Sequence, residues 1–147
     1  MRFVLLVEGE TESKVLPAFF KRWLDPRLST PVGIKPVKFQ GWSDLCQGVK
    51  TKANTYLNGP DKDEIIAVIS LLDLYGPDCF PDYLRTVEER VNWGTKKLED
   101  MVGHPRFKHY FAVHELEAWL LSDPQIFPNP VSKVLPSREP ELINMQQ

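Results

Sequence analysis

An apolar, partly β-branched run near the amino terminus, residues 3–7, contains no polar interruption and constrains the fold of this chain more than any other stretch. A strand with one wet face alternates in polarity. A continuously apolar one is buried on both faces, which places it in a parallel sheet covered by helices. Glu8 falls where this strand ends. Gly9 permits a tight turn, Thr11 is a helix cap, and Val15, Leu16, Phe19, Phe20, Trp23 and Leu24 recur at close to helical spacing. The expected unit is strand, acidic loop, helix. In open α/β sheets the ligand crevice lies outside the carboxyl ends of the strands, so Glu8 occupies a position where chemistry is expected.

Further along, Asp25-Pro26 stops the first helix, because proline disfavours helical geometry in the residue before it. A short strand is expected within residues 32–39. Pro36 removes a backbone donor there and suits an edge strand. Ser43 is the expected N-cap of a helix over residues 44–57, which Asn58-Gly59-Pro60 terminates. The second long apolar run, residues 65–72, reads as the other central strand and ends at Asp73. If the two central strands are parallel neighbours, Glu8 and Asp73 stand side by side in one crevice, a donor pair that suits a hard cation such as Mg²⁺. The plainer alternative is that Asp73 caps a loop or helix. A turn-rich loop follows, then a helix over residues 81–102 with Pro81 in its first turn and a kink at Gly94, then a strand over residues 107–113. His114, Glu115 and Glu117 come directly after that strand. Residues 115 and 117 lie about 200° apart on a helix, and Glu115, nearer the strand end, is the better ligand. The alternative role for these acids is to complement a helix dipole. His114 is a ligand, a proton carrier or a satisfied buried histidine.

Composition excludes several classes. At 147 residues, 42% hydrophobic and 26% charged, the chain is sized for one globular domain with a real core. A net charge of −2 supplies no global attraction to nucleic acid, so binding of that kind needs a local basic patch. Cys46 and Cys79 are too few for a disulfide framework or a zinc site, no apolar run approaches a membrane span, and a cytoplasmic location is expected. Lys35, Lys38, Lys50 and Lys52 read as a solvated face. Trp42, Trp93 and Trp119 are read as core packing before base stacking.

The strings VEGETE (from Val7), LLDLYGPDCFP (from Leu71) and HELEAWLLSD (from His114) resemble a Toprim domain, the metal-binding α/β module of topoisomerases, bacterial primases and overcoming-lysogenization-defect nucleases. More closely they are similar to the Toprim-like family designated domain of unknown function 4276. The resemblance covers residues 1–123 as one Toprim-like (Rossmann-like) α/β domain. It implies a mostly parallel sheet of about four strands with helices on both faces. Residues 124–147 form a proline-rich tail, expected to wrap the core or to begin a truncated remainder; missing cover would leave sheet edges that favour pairing into a homodimer. The resemblance further implies Mg²⁺ or Mn²⁺ held by a glutamate after the first strand and an Asp-x-Asp pair after a later one. Glu8 matches the first and Asp73 the first aspartate of the pair. Tyr75 occupies the second aspartate's place, so Asp78 or Glu115 would have to supply the missing carboxylate.

The expected activity is a divalent-metal-dependent, nuclease-like phosphodiesterase acting on DNA or RNA, with Glu8, Asp73 and Glu115 as metal ligands. Glu12 or Glu117 would assist proton transfer, and Lys14 or the Lys96, Lys97, Arg106 and Lys108 group would contact phosphate. The resemblance adds a partner, an ABC-type ATPase, in defence against phage or plasmids. The alternative from a different class is a non-catalytic Toprim-shaped subunit that binds an ATPase or nucleic acid without cutting it.

Overall fold

A computed structural model describes residues 1–113 and 118. Strands β1 (Arg2–Val7), β2 (Gly33–Lys38), β3 (Ile65–Asp73) and β4 (Phe107–Ala112) alternate with helices α1 (Glu10–Leu24), α2 (Trp42–Leu57) and α3 (Val87–Val102). All strand pairs are parallel, in the order β2-β1-β3-β4. This is the α/β, Rossmann-like arrangement that the two apolar runs call for. The expected tail over residues 124–147 lies outside the described residues.

The side chains of β1 explain why its run is unbroken. Val4 and Leu6 point into a core shared with Leu45, Val49, Ala53 and Leu57 of α2 and Leu98 and Val102 of α3. Leu5 and Val7 point the other way, onto Leu16 and Phe20 of α1. Val4, Leu5, Leu6 and Val7 are all withdrawn from water, worth about 1.5–3 kcal/mol per side chain. The helices therefore lie on both faces, α1 on one and α2 and α3 on the other. Beside α1, over β3 and β4, an apolar groove of about 510 Å³ runs between Phe20, Trp23, Ile69 and Tyr110. Among the described residues no helix is long and apolar enough to cross a membrane.

Local chemistry shifts several expected boundaries. Helix α1 starts at Glu10 with Gly9 as its extended N-cap, so Thr11 sits in the first turn rather than capping it. Helix α2 is capped by Gly41, whose φ of 104° is open to glycine and strained for other residues, and Ser43 lies inside the helix. Helix α3 begins at Val87, not near Pro81. Thr86 and Glu89 form a reciprocal capping box, which satisfies two backbone donors and fixes the start there. Helix α3 runs unbroken through Gly94 to its C-cap Gly103. Its missing side chain makes room for a neighbour, since a Cβ there would lie 2.6 Å from the Phe111 ring.

Strand β2 is an edge among the described residues, as Pro36 suggested. The amides of Gly33 and Phe39 donate to Met1 and Val7 of the neighbouring segment at 3.1 and 2.9 Å. Alternation along the strand then turns the Pro36 nitrogen outward, so the missing donor costs β1 nothing.

At the amino-terminal end of the sheet, Arg106 acts as a staple. Its guanidinium donates to the carbonyls of Ile65 (2.6 Å), Lys62 (2.9 Å) and Leu57 (3.4 Å), joining the end of α2 to the start of β3 and β4. Arg106 was a candidate phosphate contact in the sequence, but these carbonyls hold it at the end of the strands opposite Glu8. Arg106→Ala should lower stability by about 2–4 kcal/mol in urea denaturation, because three acceptors lose a charged donor.

One polar pair interrupts the apolar interior. Ser70 of β3 and His109 of β4 are both almost fully buried, with Ser70 Oγ 2.5 Å from His109 Nδ1. His109 Nε2 has no hydrogen-bond partner among the described residues.

Candidate metal centre

Strand order places the site. The chain leaves β1 toward β2 on one side, and leaves β3 toward β4 on the other, so the crevice opens between the carboxyl ends of β1 and β3. Glu8 follows β1 directly and Asp73 ends β3. Parallel pairing aligns Val7 with Leu71, which brings these two carboxylates to the same end of adjacent strands.

Their proximity shows in the Glu8 carboxyl, which is pushed up from 4.5 to about 7. Partial burial is the largest cause, followed by the charge of Asp73 and then that of Glu12. Glu8, Asp73 and Glu12 therefore form one electrostatic cluster. The backbone around it is held by the β2–α2 connection: the Gly41 amide donates to the Glu8 carbonyl at 2.8 Å. Trp42 reaches the same loop region, 4.0 Å from where a Cβ on Gly76 would stand. Gly9 belongs here too, because a Cβ on it would fall 2.6 Å from a Glu12 carboxylate oxygen. The first turns of α1 and α2 carry no side-chain cap, so backbone amides at both helix starts face this end of the sheet.

The other expected residues are placed unevenly. Tyr75 is 65% exposed and stands on the loop after Asp73 with Asp78, also exposed. Lys14 lies on the outer surface of α1, 3.1 Å from Glu10. Glu10 also takes Lys38 at the end of β2, a short contact that holds its carboxyl below the usual range, with Lys14 assisting. Lys96 pairs with Asp100 at 2.8 Å and Lys108 with Glu99 at 3.5 Å, while Lys97 lies over the Trp93 ring. His114, Glu115 and Glu117 lie outside the described residues. Lys38 and Gly41 were not singled out as site residues; the only signal for Gly41 was a glycine wedged between an edge strand and a helix.

The donor chemistry fits a hard divalent cation. Clustered carboxylates that resist ionising together are relieved when a cation neutralises them, and Mg²⁺ commonly takes one or two protein carboxylates while keeping water and substrate oxygens. Among the described residues no three His, Cys, Asp or Glu side chains are grouped to hold a metal by themselves, so such a site would be open rather than a closed cage. Fold and crevice together define an α/β domain with a carboxylate cluster at the switch point of a parallel sheet. The chain belongs to the family described as domain of unknown function DUF4276, whose model matches residues 7–147. No curated protein and no solved structure matches it.

Proposed function

We propose that this domain is a Mg²⁺- or Mn²⁺-dependent phosphodiesterase of the nuclease type, acting on DNA or RNA. The observation that carries this reading is the Glu8–Asp73–Glu12 cluster at the crevice, with a Glu8 carboxyl raised to about 7. Glu8 and Asp73 would hold the cation, with Glu115 as a third donor. A bound divalent cation supplies Lewis acidity at the phosphoryl group and an acidified water. Glu12, next to this pair on the first turn of α1, takes up a proton from the attacking water. The uncapped amides at the starts of α1 and α2 receive phosphate oxygens. The Toprim resemblance supports the same reading and extends it to a cytoplasmic protein working with an ABC-type ATPase in prokaryotic defence.

A second reading has its own support. Tyr75 in the place of a second aspartate, with no closed ligand set among the described residues, favours a Toprim-shaped subunit that binds an ATPase or nucleic acid without cutting. Metal binding separates the two without needing a partner. Calorimetry should give sub-millimolar Mn²⁺ binding to the wild type and none to Asp73→Asn, with circular dichroism confirming that the variant is folded. A folded wild-type protein that takes up no Mn²⁺ would rule for the scaffold reading.

A further inference from the structure

The two cysteines are too few for a disulfide framework and stand 33 positions apart in the sequence. The fold brings them together. Cys46 lies in the second turn of α2, partly buried, and Cys79 lies exposed on the irregular segment between β3 and α3. Both line one small cavity of about 170 Å³, closed by Leu72, Pro77, Lys97 and Phe111. We propose that Cys46 and Cys79 are a redox modification site, forming an intramolecular disulfide when the protein meets a peroxide.

Three observations support this. Both thiols line the same small cavity, and burial first, then the neighbouring Cys79, raises the Cys46 thiol to about 11. Their exposures differ in the way a two-step oxidation requires, with Cys79 open to an oxidant and Cys46 sheltered behind it. Cys79 also sits on backbone outside any helix or strand, so a small displacement to reach disulfide geometry breaks no ladder hydrogen bond.

The chemistry balances with hydrogen peroxide as the two-electron oxidant. The Cys79 thiolate attacks one peroxide oxygen; an S–O bond forms, the O–O bond breaks, and the departing hydroxide takes a proton to leave as water. The Cys46 thiolate then attacks the Cys79 sulfur; the S–S bond forms, the S–O bond breaks, and a second water leaves. Two thiols lose two electrons and peroxide becomes two waters. Because the Cys46 thiol holds its proton at neutral pH, the second step should quicken as pH rises toward 9.

The product would tie the start of α2 to the segment that leaves Asp73. Helix α2 is capped by Gly41, whose amide donates to the Glu8 carbonyl, so the crosslink would lie on the side of the sheet that carries the carboxylate crevice.

The test uses the full chain treated with hydrogen peroxide, quenched, alkylated under denaturing conditions and mapped by mass spectrometry. The expected result is a monomer lighter by two hydrogens, with both cysteines lost to alkylation and a single Cys46–Cys79 linked peptide, restored by reductant. In Cys79→Ser, an exposed and structurally mild change, Cys46 should stay alkylatable after the same treatment. Peroxide treatment that leaves both thiols free, carries Cys79 to the sulfinic acid with Cys46 untouched, or yields only intermolecular dimers would overturn the proposal.

Discussion

Acid should unfold this domain largely through one histidine. Burial alone drives the His109 imidazole from 6.5 down to about 3, since a charge in that position has lost its water. The folded state therefore refuses a proton that the unfolded chain accepts between these values. Stability on this account is complete above pH 6.5 and falls as pH drops toward 3. By pH 4.5 the loss should be about 2.5 kcal/mol, on the order of 1.4 kcal/mol per unit of pH below 6.5. The surroundings offer the cation little relief. Ser70 of β3 faces one ring nitrogen, and the Phe111 ring packs edge-on at 4.4 Å. From α3, the Glu99 carboxylate is engaged by the His109 backbone amide and by Lys108, while Lys96 and Asp100 pair with each other along the same groove. Urea titrations at pH 7 and 4.5 on a Glu8→Gln protein, in which the opposing titration of Glu8 is absent, read the effect directly, and adding a folded His109→Leu change should remove most of the slope. An equal slope in that variant would assign the acid lability to other groups.

Glu8→Gln should do two opposite things, and their combination is more telling than either alone. The folded-state Glu8 carboxyl lies near 7 against 4.5 in the unfolded chain, so between these values the folded protein holds a proton that the unfolded one has released. The contribution of Glu8 to stability is thus greatest below pH 4.5 and is lost as pH rises through 7. Removing the charge should raise the melting temperature at pH 8 and leave it nearly unchanged at pH 4.5. The same substitution should weaken Mn²⁺ binding at least about tenfold, because an amide replaces an anionic ligand. A variant that is both more stable and metal-deficient is expected of a residue kept for chemistry at a cost in stability. An unchanged melting temperature together with unchanged metal affinity would remove Glu8 from the site. The two slopes have opposite sign over the same pH window, so the His109 titration is cleanest in the Glu8→Gln background.

The parts of this fold readable in advance were those fixed by short-range pattern. Residues 3–7 and 65–72 announced two strands buried on both faces, and Pro36 announced an edge, because burial and the lack of an N–H act residue by residue. Helix starts were less legible. Thr11, Ser43 and Pro81 each have the right chemistry for a helix beginning, yet Gly9 and Gly41 cap two of the helices and the Thr86–Glu89 pair caps the third. Competition between neighbouring caps is settled by how the chain enters the helix, which depends on the packed sheet. Glu8 and Asp73 were legible as strand ends, whereas the influence of Glu12 on Glu8 requires the turn at Gly9 to be seen. The Ser70–His109 pair had one faint signal, a lone hydroxyl inside an apolar run. The closeness of Cys46 and Cys79 had none, since it follows from strand order.

Pro36 gives the sheet a polarity across its width. A new strand hydrogen-bonded to β2 would have to dock against an edge where one donor is replaced by a carbon ring, so recruitment of a further chain on that flank is blocked at its middle. Among the described residues, growth by strand addition is thereby disfavoured on the β2 flank, which is a selvedge sewn shut.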